Sequence, residues 1–194
     1  MTRTYLGKKG YTIFKKNLNK NQENEIKKDL YVKPFIPKAM APVNKFPIYR
    51  ESSQKYYLPR FYGIEKYGLP EKCEIDDGEK ININFNGSLR DYQESIVTKY
   101  CNYIGNNGGG LLEIDTGLGK TVIALNIISK IKLKTLVIVH KEFLLNQWEE
   151  RIKEFLPNAK IGKIQGQKID IIDKDIVIGM LQSLSMKDYE YDIF

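Results

Sequence analysis

From residue 81 onward the chain falls into short apolar runs separated by amphipathic stretches, and each block keeps one of two periods. "LLEI" (111–114), "KTLVIVH" (134–140), "AKIGKIQG" (159–166) and "DIVIGM" (175–180) are short and rich in β-branched residues, as strands buried in a parallel sheet are. Between them the spacing changes to that of helices. "INFNGSLRDYQESIVTKYCNYI" reads as a short strand followed by a helix, with Ser88 as N-cap and Asp91 as its reciprocal acid. Leu89, Tyr92, Ile96, Tyr100 and Tyr103 share one face of that helix. A second helix runs from Lys120 through about Ile131. A third, "KEFLLNQWEERIKEFLP", turns Leu144, Trp148, Ile152 and Phe155 inward and stops at Pro157. Alternating strands and helices predict an α/β fold, a mostly parallel sheet with flanking helices and right-handed crossovers.

Residues 1–80 lack this regularity. Residues 1–30 are polar and lysine-rich, and are expected to be loose, partly helical or disordered. Residues 31–72 hold every proline of the chain except Pro157, which predicts an extended path. Twelve of the 22 aromatic residues lie within residues 1–72 and need a surface to cover. Residues 46–72 are read as an arm clamped on the sheet, with the lysines kept wet. The first 30 residues are read as a solvated or weakly nucleic-acid-binding tail. The division is therefore 1–80, a basic, aromatic, proline-containing extension, and 81–194, an α/β domain.

Charge supports that boundary. Residues 1–80 carry 17 Lys/Arg against 10 Asp/Glu, while residues 81–194 carry 14 of each, so the net +7 belongs to the extension. Two distant cysteines, Cys73 and Cys101, suggest reduced thiols. A single histidine, His140, argues against a zinc site and reads as an ordinary strand-end residue. No apolar run approaches the roughly 20 residues a bilayer requires, and the amino terminus lacks the apolar stretch of a secretory signal.

The candidate chemistry sits in "LLEIDTGLGKTVIAL" (111–125), a strand, a glycine turn and a helix. Phosphate needs donors from several directions. Glycines let successive amides point into one concavity, and the helix that follows adds the positive end of its dipole. The loop is Ile114, Asp115, Thr116, Gly117, Leu118, Gly119, Lys120 and Thr121. Lys120 would reach the β- and γ-phosphates, and the Thr121 hydroxyl would help to hold Mg²⁺. The strict motif places glycine where this chain has Ile114.

"LRDYQ" (89–93), "DTGLGKT" (115–121), "LVIVHKEFLLNQWEERI" (136–152) and "IVIGMLQSL" (176–184) stand in the order and spacing of superfamily-two helicases. The chain resembles the first RecA-like domain of the XPB-like branch, and within it the helicases of large DNA viruses. Those often have an apolar first loop position, which accommodates Ile114. The resemblance implies ATP and Mg²⁺ as ligands, with Gln93 reading adenine through its paired donor and acceptor. It implies that Lys141, Glu142, Gln182 and Ser183 hold the backbone of one strand, DNA or RNA, at strand ends where ligands of α/β sheets gather. Many relatives have threonine where this chain has Met180. Trp148 reads as core. The implied location is cytoplasmic or virus-associated, in the virion or a viral factory, and neither secreted nor in a membrane.

The family's second site is a strand ending in D-E-x-[HD], whose Asp helps to hold Mg²⁺ and whose Glu activates water. The dipeptide Asp-Glu occurs nowhere in the sequence, which stops at "MKDYEYDIF". The expected fold is therefore an incomplete RecA-like P-loop domain whose partner is the missing remainder of the helicase. No catalytic residue is assigned in this chain, and hydrolysis by it alone is expected to be negligible. The alternative is a stand-alone module that binds nucleotide or nucleic acid without turnover. A small nucleotide kinase or GTPase would need its own acidic magnesium site or base-reading motif after the loop, and neither is seen.

Overall fold

The computed structural model describes residues 3–34, 44–187 and 189, and the chain divides into two compact units, Met1–Asp77 and Gly78–Phe194. The first unit begins with a hairpin, β1 (Thr4–Gly7) and β2 (Gly10–Phe14), in which Leu6 faces Tyr11 and Tyr5 faces Thr12. Helix α1 (Lys20–Asp29) follows, with Asn19 and Gln22 closing a reciprocal cap at its start. Strands β3 (Tyr31–Val32) and β4 (Phe46–Pro47) pair with each other. Then come β5 (Arg50–Glu51), β6 (Lys55–Leu58), helix α2 (Arg60–Tyr67) and β7 (Lys72–Cys73). The sheet order is β5-β6-β2-β1-β7. Both helices supply one core, built on Leu6, Tyr11, Ile13, Ile26, Tyr56 and Leu58, with Tyr62 and Ile64 of α2 packed against it.

This corrects two expectations. Residues 4–29 are not a loose tail, because alternation in "TYLG" and "GYTIF" gives the hairpin one buried face. Residues 46–72 do not run extended throughout, and Tyr49, Tyr56, Tyr62 and Tyr67 join the core of this same unit while Phe46 and Phe61 stay exposed. Tyr56 pairs with Ile13 across β2, and "RFYGIEKY" is helical directly after Pro59, which stands where a missing N–H costs nothing. Gly63 lies in that helix because a Cβ there would stand 2.2 Å from Cγ of Tyr11. Residues 35–43 of the proline-containing segment lie outside the described residues.

In the second unit, α3 (Asp91–Asn107), α4 (Lys120–Ile131), β8 (Thr135–Val139) and α5 (Glu142–Phe155) come first. They are followed by β9 (Ile161–Gln165), β10 (Lys168–Asp170), β11 (Ile176–Met180) and α6 (Leu181–Met186). The sheet order is β10-β9-β11-β8, with β11 parallel to both β8 and β9 and β10 antiparallel at one edge. The core joins Val137 and Val139 of β8, Ile176 and Ile178 of β11, and Leu145 and Ile152 of α5. Trp148 packs against it, as read from the sequence. Leu145 is 1% exposed and was missing from the inward stripe of α5. Each such side chain contributes about 1.5–3 kcal/mol of burial.

Three further readings change. "INFN" forms no ladder: Lys80 makes an isolated bridge with Leu133, while Ile81 and Ile83 still alternate into the core. Helix α3 starts after Arg90, so Ser88 is not its cap, and the Gln93 side-chain oxygen accepts the Arg90 N–H at 3.0 Å instead. The buried face of α3 centres on Gln93 and Val97: Leu89, Ile96 and Tyr100 of the expected stripe pack against that cluster, while Tyr92 and Tyr103 are exposed.

The apolar run 111–114 is not a strand either. Its alternation is present, yet Leu111 is 92% exposed and none of the described strands pairs with it. A ladder needs a partner strand, and β8, with Ile138 exposed, ends the sheet among the described residues without pairing to this run.

Candidate functional site: a glycine loop at the start of α4

The loop is held from three sides. Ile114 packs with the cluster formed by Val97 of α3 and Ile123 and Ile127 of α4, so an apolar first position anchors the entry to the turn. Leu118 O accepts from Gln93 Nε2 at 3.1 Å and from Tyr92 Oη at 3.2 Å, which ties the turn to the first part of α3. Gly119 caps α4 in the left-handed region, φ +78°, and Gly117 is also left-handed at φ +85°. Only glycine adopts these angles without strain. A Cβ on Gly119 would stand 2.5 Å from Gln93 Nε2, whereas one on Gly117 would meet nothing within 4 Å.

Helix α4 makes its first bond from Ile123 N–H to Gly119 O at 3.0 Å. The amides of Gly119, Lys120, Thr121 and Val122 therefore have no partner within the helix, and the dipole adds positive potential to them. Residues Asp115–Leu118 are exposed around this opening. The Lys120 ammonium folds back onto the carbonyls of Ile114 and Asp115, each at 3.0 Å. It is spent on no carboxylate, so an incoming anion would replace two neutral acceptors. Amides unbonded within the helix, an ammonium held by carbonyls and two left-handed glycines together fit a phosphate chain.

Gln93 is 6% exposed with both ends of its carboxamide engaged, Oε1 by Arg90 N–H and Nε2 by Leu118 O. Here it is a strut between α3 and the loop, a role that sequence reasoning missed; its signal was the polar residue on an otherwise apolar helix face. Beside the loop lies an apolar groove of about 690 Å³, lined by Ile96, Tyr100, Tyr103 and residues 111–115. Among the described residues no group of three or more His, Cys, Asp or Glu side chains could hold a metal ion.

The second set of candidate residues gathers at the carboxyl ends of β8 and β11, where Val139 and Met180 are register partners. Lys141 caps α5 and Glu142 opens it. Gln182 Nε2 donates to His140 O at 3.2 Å, joining the two strand ends. Ser183 Oγ accepts the Gly166 N–H at 2.9 Å, and Glu142 accepts from Gln165 at 3.1 Å. Lys141, Glu142, Gln182 and Ser183 are thus on one edge, with Lys141 and Gln182 exposed. His140 makes no catalytic pair there.

An α/β sheet whose glycine turn opens a helix of unbonded amides defines the phosphate-binding-loop class. The chain belongs to the helicase family whose profile, described as "Type III restriction enzyme, res subunit", matches residues 86–193. It is similar to a protein of Acanthamoeba polyphaga mimivirus, provisionally named an ATP-dependent RNA helicase, with 34% identity over 99% of this chain and 38% of that protein. It is also similar to the DNA 3'-5' translocase XPB2 of Sulfurisphaera tokodaii, 31% identical over 50% of this chain and 22% of the translocase. Among solved structures, the SWI2/SNF2 ATPase core of Sulfolobus solfataricus in complex with dsDNA matches 59% of this chain and 25% of its own at 25% identity, TM-score 0.47. The chain spans about two fifths of the mimivirus relative.

Proposed function

We propose that this chain is the amino-terminal, ATP-binding portion of an ATP-dependent nucleic-acid helicase or translocase. The observation that carries the reading is the loop: Gly117 and Gly119 left-handed, unbonded amides at the start of α4, and Lys120 held only by carbonyls. The amides of residues 117–121 and the Lys120 ammonium would bind the triphosphate. The Thr121 hydroxyl would help to hold Mg²⁺, which when bound neutralises phosphate charge. Gln93 would read adenine by exchanging its bond to Leu118 O for the base. Lys141, Glu142, Gln182 and Ser183 would hold the backbone of one DNA or RNA strand. The remainder of the helicase would cover Leu111 and pair with the free edge of β8. Its place of action would be the cytoplasm or a virus-associated compartment; no helix among the described residues is long and apolar enough to cross a membrane.

Calorimetric titration with ATP and Mg²⁺ tests the assignment. The wild-type chain should bind one equivalent, and Lys120→Ala should weaken binding by about 10- to 100-fold, the usual cost of one charge-assisted hydrogen bond. Equal affinity of the two proteins would refute it.

A further inference from the structure

The first unit carries its helices on one side of the sheet only, and the other face has a composition that the proposed ATP site does not explain. Register places Arg50, Tyr57, Thr12, Tyr5 and Lys72 in one row across all five strands. Phe14 and Lys55 form the next row on the same face. The alternate residues Leu6, Tyr11, Ile13, Tyr56 and Leu58 point to the core.

Three aromatic rings therefore stand together on the outer face, each half-buried. Tyr5 and Phe14 have ring centroids 6.3 Å apart. Tyr5 and Tyr57 flank Thr12 two strand spacings apart, about 10 Å. Over Thr12, with these two rings as walls, opens a shallow hollow of about 400 Å³ whose rim includes Lys8, Lys9 and Glu74. Cations stand over every ring: Lys9 at 5.3 Å from Tyr57, Lys55 at 5.3 Å from Tyr5 and 4.8 Å from Phe14, and Lys16 at 5.8 Å from Phe14.

Three acids of this unit lie away from that face. Glu23 bonds Tyr56 and Asp29 bonds Tyr62, both on the helix side. Glu51 lies opposite Tyr56, on the core face, and pairs with Lys15. Glu74 is the acid at the hollow, paired with Lys72 at 2.9 Å. Arg50, Lys72, Lys55, Lys9 and Lys16 thus stand on or beside the aromatic face, with Glu74 opposing Lys72.

We propose that this outer face binds single-stranded nucleic acid without sequence preference, with Tyr5, Phe14 and Tyr57 as stacking platforms for bases and Lys9 and Lys55 as phosphate contacts. Rings on a rigid sheet accept any base, and the lysines over them, Lys9 from its π-face and Lys55 from its bond to the Tyr5 hydroxyl at 3.2 Å, would turn to phosphates as bases take their place. The rings are half-buried in a rigid sheet and overlain by lysines, which suits base stacking and phosphate contact better than insertion into a bilayer interface. The site lies wholly within the first unit and uses none of the residues assigned to the strand ends or the ATP loop.

Fluorescence anisotropy of a labelled thymidine 20-mer tests it, with the full chain carrying Lys141→Ala and Gln182→Ala so that the other edge is weakened. Tyr57→Ala and Phe14→Ala should each lower affinity about tenfold with little change in salt dependence. Lys9→Ala, on the exposed hairpin turn where folding is not at stake, should reduce the slope of log affinity against log salt by about 0.7. Thermal melts confirm that each ring variant is folded. Folded ring variants that bind like their parent, with an unchanged slope for Lys9→Ala, would overturn the proposal. So would ring-dependent binding to phosphatidylserine vesicles in place of the oligonucleotide.

Discussion

ATP turnover by residues 1–194 should be indistinguishable from that of the Lys120→Ala variant, even with saturating single-stranded DNA or RNA. The reason lies in what phosphoryl transfer requires. The loop supplies positioning and part of the charge stabilisation, but the attacking water also needs a base or orienting group, and the leaving phosphate needs further positive charge. An arginine finger alone contributes about 10³–10⁵ in rate in enzymes of this chemistry. Among the described residues the acids near the loop are Glu113 and Asp115, both exposed on the loop's own approach, and no acidic cluster stands across from it. Supplying the remainder of a related helicase in the same polypeptide should raise turnover by at least about 10³. A phosphate-release assay reads both arms. Turnover by the 194-residue chain that disappears on mutating Lys120 would mean that a catalytic acid within these residues had been overlooked.

Replacing the two loop glycines should give different results, and the difference comes from what surrounds each. Gly119→Ala meets two obstacles at once: a φ of +78° and a Cβ placed 2.5 Å from Gln93 Nε2. The left-handed angle alone costs about 1–2 kcal/mol for a residue with a Cβ. The contact adds displacement of the Gln93 strut, and with it the bond to Leu118 O that sets the turn. Gly119→Ala should therefore lower both the melting temperature and nucleotide affinity, the latter by more than about tenfold. Gly117→Ala has the same kind of backbone strain at φ +85° but open space around the new methyl group. It should cost about 1 kcal/mol of stability and still lose nucleotide, because the methyl group would occupy the concavity itself. Melting curves and ATP titrations of both variants, compared side by side, check the pattern. Equal stability loss in the two would show that Gln93 does not brace the loop.

The loop was legible in the sequence because its chemistry is local: eight consecutive residues specify the turn, the helix start and the ammonium. Strands β8, β9 and β11 were legible because β-branched runs between turn residues have few other uses. The two strand-end segments could also be placed on one edge, since parallel strands bring their carboxyl ends together. What was not legible depends on partners distant in sequence. The hairpin of residues 4–14 is short and flanked by lysines, and the strand that completes its core face, β6, comes some 40 residues later. The run 111–114 looks like a strand, but pairing is a property of two segments. The true inward face of α3 was hidden by Gln93, a polar residue buried because its carboxamide bonds the loop and the helix start.

The central claim is that the main-chain amides of residues 117–121 form the phosphate cradle. Backbone amide NMR during titration with ADP and Mg²⁺ reads those groups individually. Saturable shifts are expected at Gly117, Gly119, Lys120 and Thr121, and in the Lys120→Ala variant the shifts of the remaining loop amides should need about 10- to 100-fold more nucleotide. Amides in this loop that stay still while nucleotide binds elsewhere, for example against Tyr100 and Tyr103 in the neighbouring groove, would contradict the account.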